Sequence, residues 1–312
     1  MPRRPDAPLS PTARPAPPTV HLAADLPGYA VAARTRTEQW RKVGRGVYVP
    51  TSAPTGNHAD ALARIAGLHR RLKGAHCFSH TSAALLHGLP VWRIGPETHI
   101  YQLRSPSSRR DKDVERHVPW PVADDIVDLD GVRATSMGRT AWDCAVTLRP
   151  LSALVVVDAA VHAGLDIEDL RSRVLCSAGR RGVARGRALV ELADAGAESP
   201  YETACRFLLL RAGFPVPQTQ VPVETRLGTF WGDLGWAQWR VIIEYDGRSK
   251  YADPDALMRE KRRHDAIVEA DWRIARVTSA DINERFSLTE RVSAYLPAAV
   301  TNALTPRREL VW

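Results

Sequence analysis

A chain of 312 residues is long enough for two domains, and 44% hydrophobic with 25% charged residues is a globular composition. No apolar run approaches the roughly 18 to 20 residues of a membrane span, and MPRRPDAPLSPTARPAPPTV has proline where a signal peptide has its apolar core, so a cytoplasmic protein is expected. Lys and Arg number 43 against 35 Asp and Glu, a net charge of +8 that points to a polyanionic partner. Cys77, Cys144, Cys176 and Cys205 form no Cys-x-x-Cys pair, which argues against both a structural zinc site and a disulfide framework and leaves four buried thiols as the expectation.

Residues 1–20 are proline-rich with no apolar period and are read as a tail. Residues 21–136 are read as a small α+β domain. Strand-like runs at 46–49, 99–101 and 132–135 alternate there with helices at about 58–71 and 80–87. From 137 to 197 apolar residues recur at helical spacing, broken by Pro150 and Gly164, which predicts a helical connector. From 198 to 300 the pattern gives a helix opened by Ser199-Pro200, strands near 216–224, 229–236 and 239–246, a charged helix over 254–270 and a strand near 272–278. Residues 301–312 are read as a second tail. The fold class expected is α+β or α/β, with a mixed sheet flanked by helices at the C-terminal end.

The chemistry concentrates in that last domain. In Arg240-Val-Ile-Ile-Glu-Tyr-Asp-Gly247 an apolar strand ends in Glu244 and Asp246, which alternation places on one face with Tyr245 on the other. Asp233 lies eleven residues upstream in Phe230-Trp-Gly-Asp-Leu-Gly-Trp236, the separation a hairpin needs to set it beside Glu244. Hard oxygen ligands at strand ends suit Mg²⁺, and a carboxylate following Val241-Ile242-Ile243 is costly to bury unless a cation or donors meet it. Glu202 is either a further ligand or one half of a capping box, since Ser199-Pro200-Tyr201-Glu202 has the spacing of one. The basic residues Lys250, Lys261, Arg262 and Arg263 are either contributors to a polyanion site or a solvated face. Lys261 shares a helical stripe with Leu257, His264 and Val268 that should lean toward the sheet.

In their order, Glu-Ser-Pro-x-Glu, Asp233, Ile-Glu-Tyr-Asp-Gly, a basic helix and Trp-Arg-Ile-x-Arg-Val-Thr resemble the PD-(D/E)XK nuclease superfamily, in its very-short-patch-repair endonuclease-like branch of bacterial proteins. The resemblance spans 198 to about 282. It implies a restriction-endonuclease-like core with Mg²⁺ (or Mn²⁺) on Asp233 and Glu244, further ligation by the Tyr245 carbonyl and Glu202, and hydrolysis of DNA. The signature lysine is replaced by Asp246, so its cationic role falls to Lys250 or Lys261, with Arg248, Arg262 and Arg263 toward the DNA. The alternative is a DNA-binding regulator on a catalytically degenerate nuclease fold.

In the N-terminal part, Trp40-Arg-Lys-Val-Gly-Arg-Gly-Val-Tyr-Val49 resembles the wing of AbiEi antitoxin-type winged-helix proteins, and Ser79–Leu89 and Arg139–Asp143 resemble segments C-terminal to the wing in those proteins. That resemblance implies DNA backbone contacts by Arg41, Lys42 and Arg45. A recognition helix would have to lie between His21 and Gln39, where Pro27-Gly28 interrupts the pattern. His80 and His87, seven apart, are read as packing residues because the sequence shows no third ligand beside them.

Overall fold

The computed structural model describes residues 14–16, 18–103, 112–177, 179, 181–246, 254–283 and 287–310. The fold is α+β, and no helix among the described residues is long and apolar enough to cross a membrane. The chain divides into two compact units, one made of residues 14–148 and 165–186, the other of 149–164 and 187–310.

The first unit opens with β1 (His21–Leu22), α1 (Gly28–Arg36), β2 (Trp40–Gly44) and β3 (Val47–Pro50), whose strands form an antiparallel sheet in the order β1-β3-β2. Pro27 caps α1 rather than breaking it, because proline's missing N–H costs nothing just before the first helical turn. Against this sheet lies α2 (Asn57–Arg71), whose Ala61, Leu62, Ile65 and Leu68 are buried at helical spacing. Ala63 packs with Val47 and Val49 of this sheet, while those four side chains meet Phe78, Ile100 and Ala134 of a second sheet. That sheet holds β4 (His76–Phe78), β5 (Thr98–Gln102), β6 (Val114–His117), β7 (Ile126–Leu129) and β8 (Val132–Thr135) in the order β6-β5-β4-β8-β7. Helix α3 (His80–Leu86) links β4 to β5. Asp130 and Gly131, with φ of 55° and 86°, close the β7/β8 hairpin as Asp-Gly turns do. Helix α4 (Met137–Thr147), capped by Ser136, is tied to α6 (Ile167–Cys176) where Arg139 and Arg173 share Asp125 at 2.9 and 2.8 Å. Cys176 is exposed, unlike the other three cysteines, because it ends α6.

The stretch read as a connector is divided: α4 and α6 belong to the first unit and α5 (Pro150–His162) to the second, while α7 (Val183–Glu191) spans the boundary between them. Helix α8 (Pro200–Ala212) starts on Ser199, whose hydroxyl accepts the Glu202 N–H, and stops at Gly213 with φ of 93°. Then β9 (Gln218–Thr225), β10 (Gly228–Trp236) and β11 (Val241–Tyr245) run antiparallel, and α9 (Pro254–Glu269) leads to β12 (Arg273–Val277), parallel to β11. The sheet order is β12-β11-β10-β9. Ile267 of α9 packs on Val221, Val223 and Ile242 on one face, and Tyr201 of α8 stacks on Tyr245, of opposite parity, on the other. Short helices α10 (Ser279–Asn283), α11 (Ser287–Ser293) and α12 (Ala298–Thr301) complete the second unit's helices.

Candidate active site

Three elements bring carboxylates to one end of the four-stranded sheet. In the β10/β11 ladder Leu234 lies opposite Ile243, so Asp233 and Glu244 occupy the next positions along. Asp233 turns its Oδ2 onto the Tyr245 N–H at 2.8 Å, satisfying a donor at the strand end. Glu202 comes from the first turn of α8, where its N–H is bonded to the Ser199 hydroxyl. Its carboxylate accepts the Glu198 N–H at 2.9 Å, one residue before the N-cap that a capping box would use. Burial, and after it the negative charge of Asp233, hold the Glu202 carboxyl well above the ordinary carboxylate range. Cys205, one helical turn along, is buried and pushed up in the same way, by burial first and then by Asp233, Glu202 and Asp281.

Glu244 is held differently. The Arg263 guanidinium grips both of its oxygens, at 2.5 and 3.1 Å, and donates to the Trp231 carbonyl at 3.2 Å, with both side chains largely buried. Glu260 joins Arg263 to Arg276. The convergence of Asp233, Glu244 and Asp246 expected from the sequence does not occur: among the described residues neither these three nor Asp233 and Glu244 with Glu202 have ligand atoms all within 4.8 Å of one another. Glu202 is tethered to its own helix start, and Glu244 is drawn toward α9. What remains is Asp233 and Glu244 on adjacent ladder positions, with the Tyr245 peptide between them. Two carboxylates and a carbonyl, completed by water, are a donor set that Mg²⁺ accepts.

No protein-family model matches the chain. Uncharacterized proteins from two strains of Mycobacterium tuberculosis are each 28% identical to it over 261 residues, covering 83% of this chain and 93% of the relative.

The remaining expected site residues separate into three groups. Arg248 and Lys250 lie outside the described residues. Asp246 ends the sheet at half burial, its N–H on the Val277 carbonyl at 2.8 Å. Lys261 does not lean toward the sheet. The stripe of α9 that does so is Glu260, Arg263 and Ile267, and Lys261 sits one residue, about 100°, out of phase, beside the half-exposed Leu257 and Val268. Arg262 is exposed, but Arg263, expected on the DNA side, faces inward. In the first unit Arg41 turns to Asp60 at 2.6 Å and to the Pro54 carbonyl. Lys42 and Arg45 are exposed and line a surface groove of about 600 Å³ with Val43, Gly44, Lys112 and Asp113. Trp40 is stacked on His21, with centroids 4.1 Å apart, and covered by Arg34, which makes it a packing residue of the wing-like hairpin.

Arg263 is the residue whose place the sequence did not disclose. The signal was its spacing, three after Glu260 and four before Ile267, on the stripe that contains the buried isoleucine. The second feature missed is a set of three histidines, His80, His99 and His117, drawn from α3, β5 and β6. His87 is not among them; its Nε2 bonds the Thr135 carbonyl at 2.8 Å.

Proposed function

We propose that the second unit is a Mg²⁺- or Mn²⁺-dependent DNA endonuclease of the very-short-patch-repair-like PD-(D/E)XK kind. The observation that carries this reading is Asp233, within β10, beside Glu244 near the end of β11, with a guanidinium from α9 set against Glu244. The order of parts, three antiparallel strands and a helical crossover to a parallel fourth, agrees with it. The net charge of +8 favours a nucleic-acid substrate. A divalent cation held by this donor set would supply an acidified water and offset charge on the phosphodiester. Asp233, Glu244 and the Tyr245 carbonyl would hold it, while Glu202 stays bonded to the Glu198 N–H at the start of α8. Arg263 takes the part of the missing lysine, keeping a fixed positive charge beside the reacting phosphate. Lys42 and Arg45 are suited to phosphates at a separate surface.

One observation favours a second reading. Both oxygens of Glu244 are engaged by Arg263, which is how a site looks when a built-in cation has replaced the metal. A DNA-binding regulator on a degenerate nuclease fold would have that feature.

Cleavage of supercoiled, mismatched and single-stranded DNA by the full-length protein separates the two. Nicking that requires Mg²⁺ or Mn²⁺, stops with EDTA and disappears in Glu244→Ala is the expected result. DNA bound equally well by wild type and Glu244→Ala, with no strand cut under any of these conditions, would move the conclusion to the regulator.

A further inference from the structure

We propose that His80, His99 and His117 form a Zn²⁺ site in the first unit, three imidazoles on one face of the ion and water in the remaining position. Their ligand nitrogens all lie within 4.8 Å of one another, and among the described residues no other three His, Cys, Asp or Glu groups converge in this way. The residues come from three elements that the fold brings together. On the parallel strands β5 and β6, His99 is paired with Glu115 and Tyr101 with His117, so His99 and His117 lie diagonally on one face of the sheet. His80 is the first residue of α3; its ring is stacked on that of His117 at 3.8 Å and lies 5.4 Å from that of His99, so metal binding would turn the His80 ring out of this stack.

Three further details bear on a ligand site. The backbone of His80 has φ of 51°, a conformation costly for a side chain with a Cβ, and it is held there where the ring joins the other two. The Ser79 hydroxyl lies 2.9 Å from Nδ1 of His80, which assigns that nitrogen to a hydrogen bond and leaves Nε2 for ligation, as partners of metal-bound histidines do. Nδ1 of His99 and Nε2 of His117 are 3.1 Å apart, close to the roughly 3.3 Å edge of a tetrahedron with metal–nitrogen bonds of about 2.0–2.1 Å.

The surroundings support the same assignment. Glu97 and Glu115 act on His99 from the side of negative charge. Arg139 acts on His80 in the opposite sense, but Asp143 and Asp125 hold that guanidinium at 2.8 and 2.9 Å. Three imidazoles with no thiolate select a borderline divalent ion over Mg²⁺, so the site is independent of the carboxylates of the second unit.

Co²⁺ titration of full-length protein stripped of metal, in excess Mg²⁺, tests this directly. A single equivalent of Co²⁺ is expected to bind with visible ligand-field absorption and to be displaced by Zn²⁺, with Zn²⁺ raising Tm. His99→Gln and His117→Gln should each weaken binding by at least about 100-fold with unchanged far-ultraviolet circular dichroism, and Glu244→Gln should leave it unaffected. Should either glutamine variant misfold, His117→Cys is expected to keep Co²⁺ and add a sulfur charge-transfer band. Absence of Co²⁺ uptake by wild type, or uptake undiminished in the folded glutamine variants, would overturn the proposal.

Discussion

Arg263 shows how a single side chain sets the character of the candidate site. It lies between Glu244 and Glu260 under the edge of Phe230, and the carboxylates raise its already high pKa against the cost of its burial. Replacing it by alanine leaves Glu244 without its donor, so Arg263→Ala should lower the cleavage rate by about 100-fold or more, the usual effect of removing a cation that stabilises transition-state charge; undiminished turnover would remove the arginine from the chemistry. A second buried arginine, Arg206, has a purely structural role. It grips both oxygens of Asp158 at 2.7 and 2.8 Å, while Thr203 and the Asp194 N–H fill the remaining lone pairs. Because both partners are almost wholly removed from water, Asp158→Ala should destabilise the protein by about 3–5 kcal/mol in urea unfolding, far more than loss of an exposed pair such as Arg240 and Asp271. Asp281 supplies a pH effect. Burial pushes its carboxyl up, but hydrogen bonds from the Thr278 hydroxyl and N–H, with the Arg291 charge, bring it below its ordinary value of 3.8. A carboxylate whose pKa is depressed by folding stabilises above the unfolded value, and that contribution is lost as pH falls through the folded one. Stability should therefore decline with acid more steeply in wild type than in Asp281→Asn, as read by Tm between about pH 5 and 2.

At the scale of elements, the helix α8 has both ends written in its residues. Ser199 and Pro200 open it, and Gly213 closes it in the left-handed region with the Thr305 backbone where a Cβ would go. Gly213→Ala combines unfavourable φ with that clash and should cost more than about 1 kcal/mol, measured as a drop in the urea midpoint. The start of α8, the strands β9 to β12 and the span of α9 were legible because caps, alternation and helical period are local properties. The face of α9 was not. Leu257 and Val268 made the Lys261 stripe look apolar, yet both are half exposed, and the buried face is carried by Ile267 with the aliphatic stem and charge of Arg263. Likewise α1 was obscured by Pro27-Gly28, which reads as a break but serves as a cap. Asp233 and Glu244 could be paired from their spacing alone. The histidines could not, since His80, His99 and His117 are far apart in sequence and meet only through sheet pairing.

Across the whole molecule, the two units carry separate chemistries. Cationic Lys42 and Arg45 and the three histidines belong to one unit, the carboxylate pair and Arg263 to the other. With a net charge of +8, DNA affinity should fall steeply as salt rises. Substituting Lys42 and Arg45 by alanine should weaken binding to all sequences alike and flatten the salt dependence, the slope falling by about one for every phosphate no longer neutralised. The carboxylate pair of the second unit is probed by nicking of supercoiled DNA in Mg²⁺, with wild type and Asp233→Asn side by side. The asparagine keeps the size of the side chain, and its amide oxygen can still accept the Tyr245 N–H. Loss of nicking by at least about 100-fold, with DNA binding retained, is the expected outcome for a metal-dependent nuclease. Nicking at the wild-type rate in Asp233→Asn, or binding by wild type without any strand cut, would contradict that assignment.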